Sequence, residues 1–357
     1  MDSFVHDVPA ARVVFGTGAI NQVAAEASRL GGQRIMLIAG GPEAGLAAPI
    51  EADLGRRIVA RFSDVTMHVP VEVAQAAVRQ AHDAQVDLLL SLGGGSSTGT
   101  AKAVALETGL PILAVPTTYA GSEMTSIWGL TEGQRKTTGR DLRVLPKSVV
   151  YDPELTVGLP VDVSASSGMN ALAHLVEALY APGISPISFM QAKEGVRALA
   201  ASLPRVVADP LDVQARTDAL YGAWLAGWAL GTTGMGVHHK VCHVLGGAYN
   251  LPHAPMHAAV LPYATAFNTD AAPEAMRAIV EALGEAGIVA DSAASGLFDL
   301  SAAIGAPTCL ASVGFDPRQI PQAAGLVVAG QPVNPRPVDE AGVRGLLEAS
   351  VAGERPQ

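Results

Sequence analysis

Cysteine is almost missing from this chain. Of its 357 residues only Cys242 and Cys309 carry a thiol, far apart and outside any CxxC pair. That excludes a disulfide-stapled scaffold and a zinc knuckle, and it fits a reducing cytoplasm. Aromatic residues are scarce at 4%, and charged ones make up only 16%. Basic side chains are the minority, 23 Lys and Arg against 33 Asp and Glu, with no basic cluster. A net charge of -10 repels polyanions, so no nucleic-acid partner is expected. A small anion is still bindable, because a few local donors outweigh a screened global field. No stretch reaches the roughly 18 to 20 apolar residues needed to cross a bilayer, so no membrane partner is expected. The start, Met1-Asp2-Ser3 with Asp7 soon after, lacks the basic-then-apolar pattern of a leader, and a cytoplasmic location is expected.

What is present is apolar and small: 49% hydrophobic residues and 38 glycines. At roughly 150 residues per domain, the length predicts about two domains. In the first half, short apolar runs end in turn signals. Arg34–Ala39 stops at Gly40-Gly41-Pro42, Val86–Leu92 at Gly93-Gly94-Gly95, and Pro111–Pro116 at Thr117-Thr118. These read as buried parallel strands, and Val65–Val69 reads as a weaker one. Between them, Val71–Ala84 sets Val73, Ala77, Val78 and Ala81 on one helical face, and Thr98–Glu107 is alanine-rich. Strand-helix-strand units of this kind predict an α/β, doubly wound dinucleotide-binding domain over residues 1–155. From Val163 onward, Ala/Leu patterns broken by Gly and Pro predict an all-α carboxy-terminal domain over 156–357. Gln331–Pro337 reads as a loop, and the residues from Glu354 are expected to fray.

Gly93, Gly94, Gly95 and Ser96 follow a strand and open a helix. Bare backbone there approaches a phosphate closely, with free N–H groups and the helix dipole supplying positive potential. An acidic residue for a ribose 2′-hydroxyl belongs just beyond an earlier strand, where this chain has Gly40-Gly41. No repulsion then excludes a 2′-phosphate, so NADH and NADPH both remain open as cofactors. Thr117, Thr118, Ser122 and Thr125 also lie beyond a strand end and offer hydroxyls to ribose or phosphate.

Histidines concentrate in the second half in pairs four apart, which places each pair on one helical face. Asn170 and His174, His239 and His243, and His253 and His257 all repeat that spacing. Converging imidazoles suit a divalent metal, but the fourth position offers the neutral amide of Asn170 in place of an anion. The alternative is a metal-free site in which an imidazole donates a proton to substrate, or steadies charge on a substrate oxygen. The metal-free version is preferred.

The chain resembles the iron-containing (type III) alcohol dehydrogenase superfamily and, within it, the maleylacetate reductases. The broader likeness rests on Gly93–Ser96 with Ala101-Lys102, Pro116-Thr117-Thr118, Asp152–Leu155 and the His239 to His253 interval. The narrower one rests on Arg12–Gly18, Trp128–Gly133, Lys136–Asp141, Ser167–Asn170, His238-His239-Lys240 and Asn334–Pro337. The resemblance implies a dehydroquinate synthase-like fold with the active site in the cleft between the two domains. It also implies a homodimer. In metal-dependent relatives the ligands match Asn170, His174, His239 and His253, with a further histidine matching His243 near the substrate. The Asp of the glycine-rich motif is replaced by Gly99, and Lys136 matches a lysine near the cofactor ribose.

The reaction so implied reduces the carbon–carbon double bond of maleylacetate to 3-oxoadipate with NADH or NADPH, in breakdown of aromatic compounds. Hydride at the carbon beta to the ketone leaves an enolate, which needs an oxygen-stabilising group and a proton donor. His243 is the expected donor, with His253, His239 and His174 as the other catalytic imidazoles. For the two substrate carboxylates the candidates are Asn170, Lys240 and Arg140, with Arg12 behind them. Rival readings are a metal-dependent alcohol dehydrogenase, a dehydroquinate-synthase-like lyase and a non-catalytic nucleotide sensor.

Overall fold

A computed structural model describes residues 6, 11–133 and 135–357, apart from the side chains of residues 135 and 136. Among them the chain divides into two compact units. One ends at Leu159, and the other runs from Pro160 to Gln357 and takes in His6.

The strands of the first unit are β1 (Arg12–Phe15), β2 (Ile35–Ala39), β3 (Ile58–Phe62), β4 (Leu88–Gly93), β5 (Ile112–Pro116), β6 (Ile127–Glu132), β7 (Arg135–Arg140) and β8 (Ser148–Tyr151). Its helices are α1 (Val23–Arg29), α2 (Ala44–Leu54), α3 (Val71–Asp83) and α4 (Gly95–Thr108). Six strands form one parallel sheet in the order β1-β8-β5-β4-β2-β3. Every residue of β2, β4 and β5 is buried, which is why these three appear in the sequence as unbroken apolar runs. At the edges β1 and β3 are mixed in burial, so no such run marks them. The remaining pair, β6 and β7, is a separate antiparallel hairpin.

Val65–Val69 is not a strand. His68 and Val69 have φ of 64° and 48°, left-handed backbone that no strand contains and that a β-branched residue adopts under strain. The turn is held by the hairpin: Thr131 N–H donates to Val69 O at 3.1 Å, and Thr131 Oγ1 donates to His68 O at 2.8 Å.

From β2 the chain crosses through α2 to β3 on one side, and from the neighbouring β4 it crosses through α4 to β5 on the other. Connections that part in this way leave a crevice at the carboxyl ends of the two strands, where open parallel sheets take ligands. The end of the unit is pinned by Asp152. Its buried carboxylate accepts from Gly18 N–H at 3.2 Å, Ile20 N–H at 3.0 Å and Glu154 N–H at 3.1 Å. Leu155 packs into the same core, which carries the break past residue 155 to Pro160.

The second unit is helical: α5 (Val161–Leu179), α6 (Pro186–Ala208), α7 (Val213–Thr232), α8 (Val237–Tyr249), α9 (His253–Asn268), α10 (Pro273–Glu285), α11 (Ala293–Ala303), α12 (Ile320–Ala329) and α13 (Glu340–Ala352). Every residue of α5 from Ser164 to Leu179 is buried. Close packing around α5 depends on missing side chains. A methyl on Gly168 of α5 would collide with Leu203 of α6, one on Gly195 of α6 would stand 2.5 Å from Leu175 of α5, and one on Gly222 of α7 would stand 2.6 Å from Leu199 of α6. Each leucine fills the notch left by a glycine, burial that contributes about 1.5–3 kcal/mol per side chain. The tail does not fray as expected, since Arg355 donates twice to Asp299 at 2.8 Å and also pairs with Asp291.

Candidate active site

In the first unit, β4 ends on Gly93 and α4 starts at Gly95, with Gly94 as N-cap and no acidic side chain in the first turn. Gly93 has φ +138°, and a methyl there would collide with Ser97 Oγ. A methyl on Gly94 would lie 3.1 Å from Thr118 Oγ1. Thr117 N–H donates to Gly93 O at 3.2 Å and so ties the two expected ligand turns together. Gly95, Ser96, Thr118 and Ser122 are half-buried around this turn, and Thr117 is buried. Bare backbone facing the unpaired first-turn amides of a 14-residue helix fits the diphosphate of a dinucleotide. At position 99 an aspartate would require Val69 to shift, because a methyl there would stand 2.8 Å from Val69 Cγ2.

Thr125 has a different role from the one expected. It is 1% exposed, and its hydroxyl donates to Ser122 O at 3.1 Å while accepting from Lys102 Nζ at 2.9 Å. Lys102, also 1% exposed, donates further to Ser122 O, Thr125 O and Ile127 O at 2.7–2.8 Å. Burial pulls its pKa down to about 7, against the pull of Glu123 and with Arg140 adding to the fall. Four acceptors around one amine favour the ammonium, which staples the 122–127 segment beside the glycine turn. Burial raises the Glu123 carboxyl, and Tyr151 Oη donates to it at 2.8 Å.

An acid does stand at the end of β2, contrary to the sequence reading. A methyl on Gly40 would lie 3.0 Å from Glu43 Oε2, and one on Gly93 would lie 3.2 Å from Glu43 Cδ. The Glu43 carboxyl therefore bridges the carboxyl ends of the two strands at the switch point. Burial raises its pKa, with the amides of Glu43 and Gly40 opposing. Three residues of 3-10 turn (Gly41–Glu43) carry it back over the strand end, which a search at the strand's last residue misses.

In the second unit, α5, α8 and α9 bring six imidazoles together. Ring centroids lie 4.8 Å apart for His174 and His239, 5.1 Å for His239 and His257, 4.9 Å for His238 and His257, and 4.3 Å for His253 and His257. His243 packs edge-on to His239 at 6.2 Å. His238 and His257 are fully buried, His239 and His174 are 3% and 5% exposed, and His243 and His253 are half-buried. Burial pulls the His238 pKa down to about 4, His239 adding and Glu177 opposing, and it drives His257 well below the ordinary value. Both rings are neutral near pH 7. Among the described residues neither nitrogen of His257 has a hydrogen-bond partner.

Glu177 completes the cluster and was not singled out in the sequence, although it follows Asn170 by seven residues and His174 by three, on one face of α5. Its Oε2 makes a short hydrogen bond with His239 Nδ1, and its Oε1 accepts from His239 N–H at 3.3 Å. The carboxylate thus sits at the N-terminus of α8, where the helix dipole favours an anion. Burial alone would raise its pKa, but the His239 ring and the Gly236 amide outweigh that and hold it below the usual carboxylate range. Asn334 caps the same end, Oδ1 accepting from Val237 N–H at 3.3 Å and Nδ2 donating to Asn268 Oδ1 at 2.7 Å. The bare backbone at Gly236 lets both side chains approach, since a methyl would lie 3.0 Å from Asn334 Oδ1 and 3.1 Å from Glu177 Oε1 and both would have to move.

Distances between the imidazole nitrogens decide whether the cluster can hold a metal ion. His174 Nδ1 and His239 Nε2 are 2.7 Å apart, a hydrogen bond. Two nitrogens on one ion at about 2.1 Å and tetrahedral angles stand roughly 3.4 Å apart. His238, His239 and His257 each place one nitrogen within 4.8 Å of the others, but both His239 nitrogens already have partners. Asn170, 3% exposed, brings its Nδ2 to 3.4 Å from His174 Nε2, a donor where a cation site needs an anion. In this arrangement the side chains fit a hydrogen-bonded network and do not fit a tetrahedral ion.

Of the substrate-binding candidates, Lys240 lies against Gly330 at the carboxyl end of α12, a place where the helix dipole favours a cation without any substrate. Arg12 is paired with Glu26 at 2.9 Å. Arg140 ends β7 and is exposed enough to meet solvent, with partial burial lowering its pKa. Lys136 is on β7 too, and its side chain lies outside the described residues.

Known proteins resemble this chain over its full length. The iron-containing alcohol dehydrogenase model matches residues 10–153, and the C-terminal model of the Fe-containing alcohol dehydrogenase family matches 164–351. The chain is 47% identical over 356 residues to the maleylacetate reductase of Burkholderia cepacia, covering 100% of both. It is 48% identical over 353 residues to that of Sphingobium indicum, covering 99% of each. The crystal structure of maleylacetate reductase from Rhizobium sp. strain MTP-10005 superposes with a TM-score of 0.93 at 46% identity over the whole of both chains. The chain belongs to the iron-containing alcohol dehydrogenase family, an oxidoreductase family with a nicotinamide cofactor, and within it to the maleylacetate reductases.

Proposed function

We propose that this enzyme reduces the carbon–carbon double bond of maleylacetate to 3-oxoadipate with NADH or NADPH, without a catalytic metal. Full-length identity to several maleylacetate reductases is the observation that carries the reaction. The direct His174–His239 hydrogen bond and the Asn170 amide support the metal-free reading.

When bound, a reduced nicotinamide supplies the hydride to the carbon beta to the ketone. The electron pair of the double bond moves onto the ketone oxygen, and the carbon between them takes one proton to restore the ketone. The protein has to steady that oxygen and deliver that proton. His243 and His253 are the half-buried imidazoles of the cluster, so they are the ones able to reach a substrate, with His243 as donor. An unperturbed imidazole pKa of about 6.5 suits donation near neutrality. His174, His239 and Asn170 form the wired wall behind them. Arg140 remains the candidate for a substrate carboxylate. Gly93, Gly94, Gly95, Ser96, Thr117, Thr118 and Ser122 are assigned to the cofactor, and Glu43 to its ribose diol, which favours NADH over NADPH. Among the described residues no helix is long and apolar enough to cross a membrane. A cytoplasmic homodimer acting in aromatic breakdown fits this reading.

The test is the oxidation of NADH and NADPH followed by absorbance with maleylacetate, with and without a chelator, beside simple aldehydes and ketones. Chelator-resistant turnover of maleylacetate is expected. Carbonyl reduction that a chelator abolishes would instead mark a metal-dependent alcohol dehydrogenase.

A further inference from the structure

Four side chains of the second unit are joined in one line of hydrogen bonds. Asn170 Nδ2 stands 3.4 Å from His174 Nε2, His174 Nδ1 stands 2.7 Å from His239 Nε2, and His239 Nδ1 meets Glu177 Oε2. The direction of this line is fixed from one end. An ionised carboxylate only accepts, so His239 carries its proton on Nδ1. In a neutral ring Nε2 then accepts, so His174 has to donate from Nδ1. His174 Nε2 accepts in turn, and Asn170 presents its NH2 group to it. Asn170 Oδ1 is left buried with no partner among the described residues, in keeping with this orientation.

We propose that Glu177 is a positioning residue for the reduction, setting the tautomer and orientation of His239 and, through it, those of His174 and Asn170. Its part in turnover rests on the reductase reading; its part in the tautomers does not. Two features independent of the line hold the carboxylate in place. It lies at the N-terminus of α8 with His239 N–H on Oε1, and position 236 has no Cβ to push it away. His239 in turn is the ring against which His243 packs. Turning His239 therefore displaces the proton donor without touching the substrate. The fixed tautomers also leave neither His239 nor His174 a spare lone pair for an ion, so the same carboxylate that orients the rings keeps the site closed to metal.

The experiment compares wild type with Glu177→Gln and Glu177→Asp. The side chain borders a cavity of about 60 Å³, so neither variant overpacks the site. In 15N-histidine spectra of the wild type, two rings are expected as hydrogen-bonded Nδ1–H tautomers. E177Q exchanges one acceptor oxygen for a donor and should scramble that pattern. Its kcat with maleylacetate should fall about 10- to 100-fold while KM and NADH affinity stay within about threefold, and E177D, which keeps the charge, should recover part of the loss. Unchanged tautomers in E177Q, or a kcat within about twofold of wild type, would overturn the assignment. So would a loss of thermal stability alone with full kcat per folded site. If E177Q does not fold, the spectra and kinetics of E177D decide the same question. A wild type with the expected tautomers but no turnover of maleylacetate would sink the reductase reading and leave the tautomer assignment standing.

Discussion

His174 Nδ1 lies 2.7 Å from His239 Nε2, so two imidazoles from different helices spend on each other the atoms that a metal would need. Asn170 extends the arrangement by offering a donor to His174. An aspartate there would place an acceptor against an acceptor, a conflict relieved only by an extra proton or a cation. Asn170→Asp should therefore bind zinc or ferrous ion stoichiometrically after dialysis, where the parent protein does not, and it should lose most reductase activity when metal-free. Elemental analysis of both proteins checks this. Equal metal content in the two would contradict it.

His243 is a half-buried imidazole and packs edge-on to His239. His243→Ala should lower kcat by about a hundred- to ten-thousand-fold, the usual contribution of general acid catalysis, with NADH affinity unchanged. Stopped-flow turnover and fluorescence titration of NADH separate the two effects. Near-normal turnover would move the donor role to His253.

Glu43 bridges the ends of β2 and β4. A charged hydrogen bond to the ribose diol contributes about 1.5–3 kcal/mol, and the same carboxylate repels a 2′-phosphate. Glu43→Ser should shift the kcat/KM ratio of NADPH to NADH upward by about 10- to 100-fold. A ratio that does not move would place the ribose elsewhere.

His238 is fully buried with its pKa pushed down to about 4. Between that value and about 6.5 the unfolded chain binds a proton that the folded chain refuses, so stability rises with pH across this window and is lost as pH falls through it. The loss from pH 7 to pH 4 should be on the order of 3 kcal/mol from this ring, with His257 acting in the same direction. Chemical denaturation at several pH values, with His238→Leu as reference, reads it. A wild type no more acid-sensitive than that variant would show that the ring is protonated in the fold.

The central strands, the glycine turn, the two histidine pairs and the Asn170–His174 pair were legible in the sequence because each is local. Strands buried on both faces leave an unbroken apolar run, and residues four apart on a helix share a face whatever surrounds them. The edge strands β1 and β3, half exposed, left no such mark. Val65–Val69 alternates like a strand, yet the β6–β7 hairpin bends it at His68 and Val69. Glu43 was hidden by the turn that folds it back, and Thr125 looked like a ligand until Lys102 claimed its hydroxyl. Glu177 had the right spacing from His174, but an acid on a helix is so often solvated that only its burial against α8 separates it from a surface residue.

The start of α8 is held by Asn334, 97 residues further along the chain. During synthesis the helix that carries His238, His239 and His243 stays without that cap until residue 334 has left the ribosome. Nascent chains halted before residue 334 should then hold the imidazole cluster in a frayed state that reacts readily with histidine-modifying reagents, and the arrival of Asn334 is what closes it.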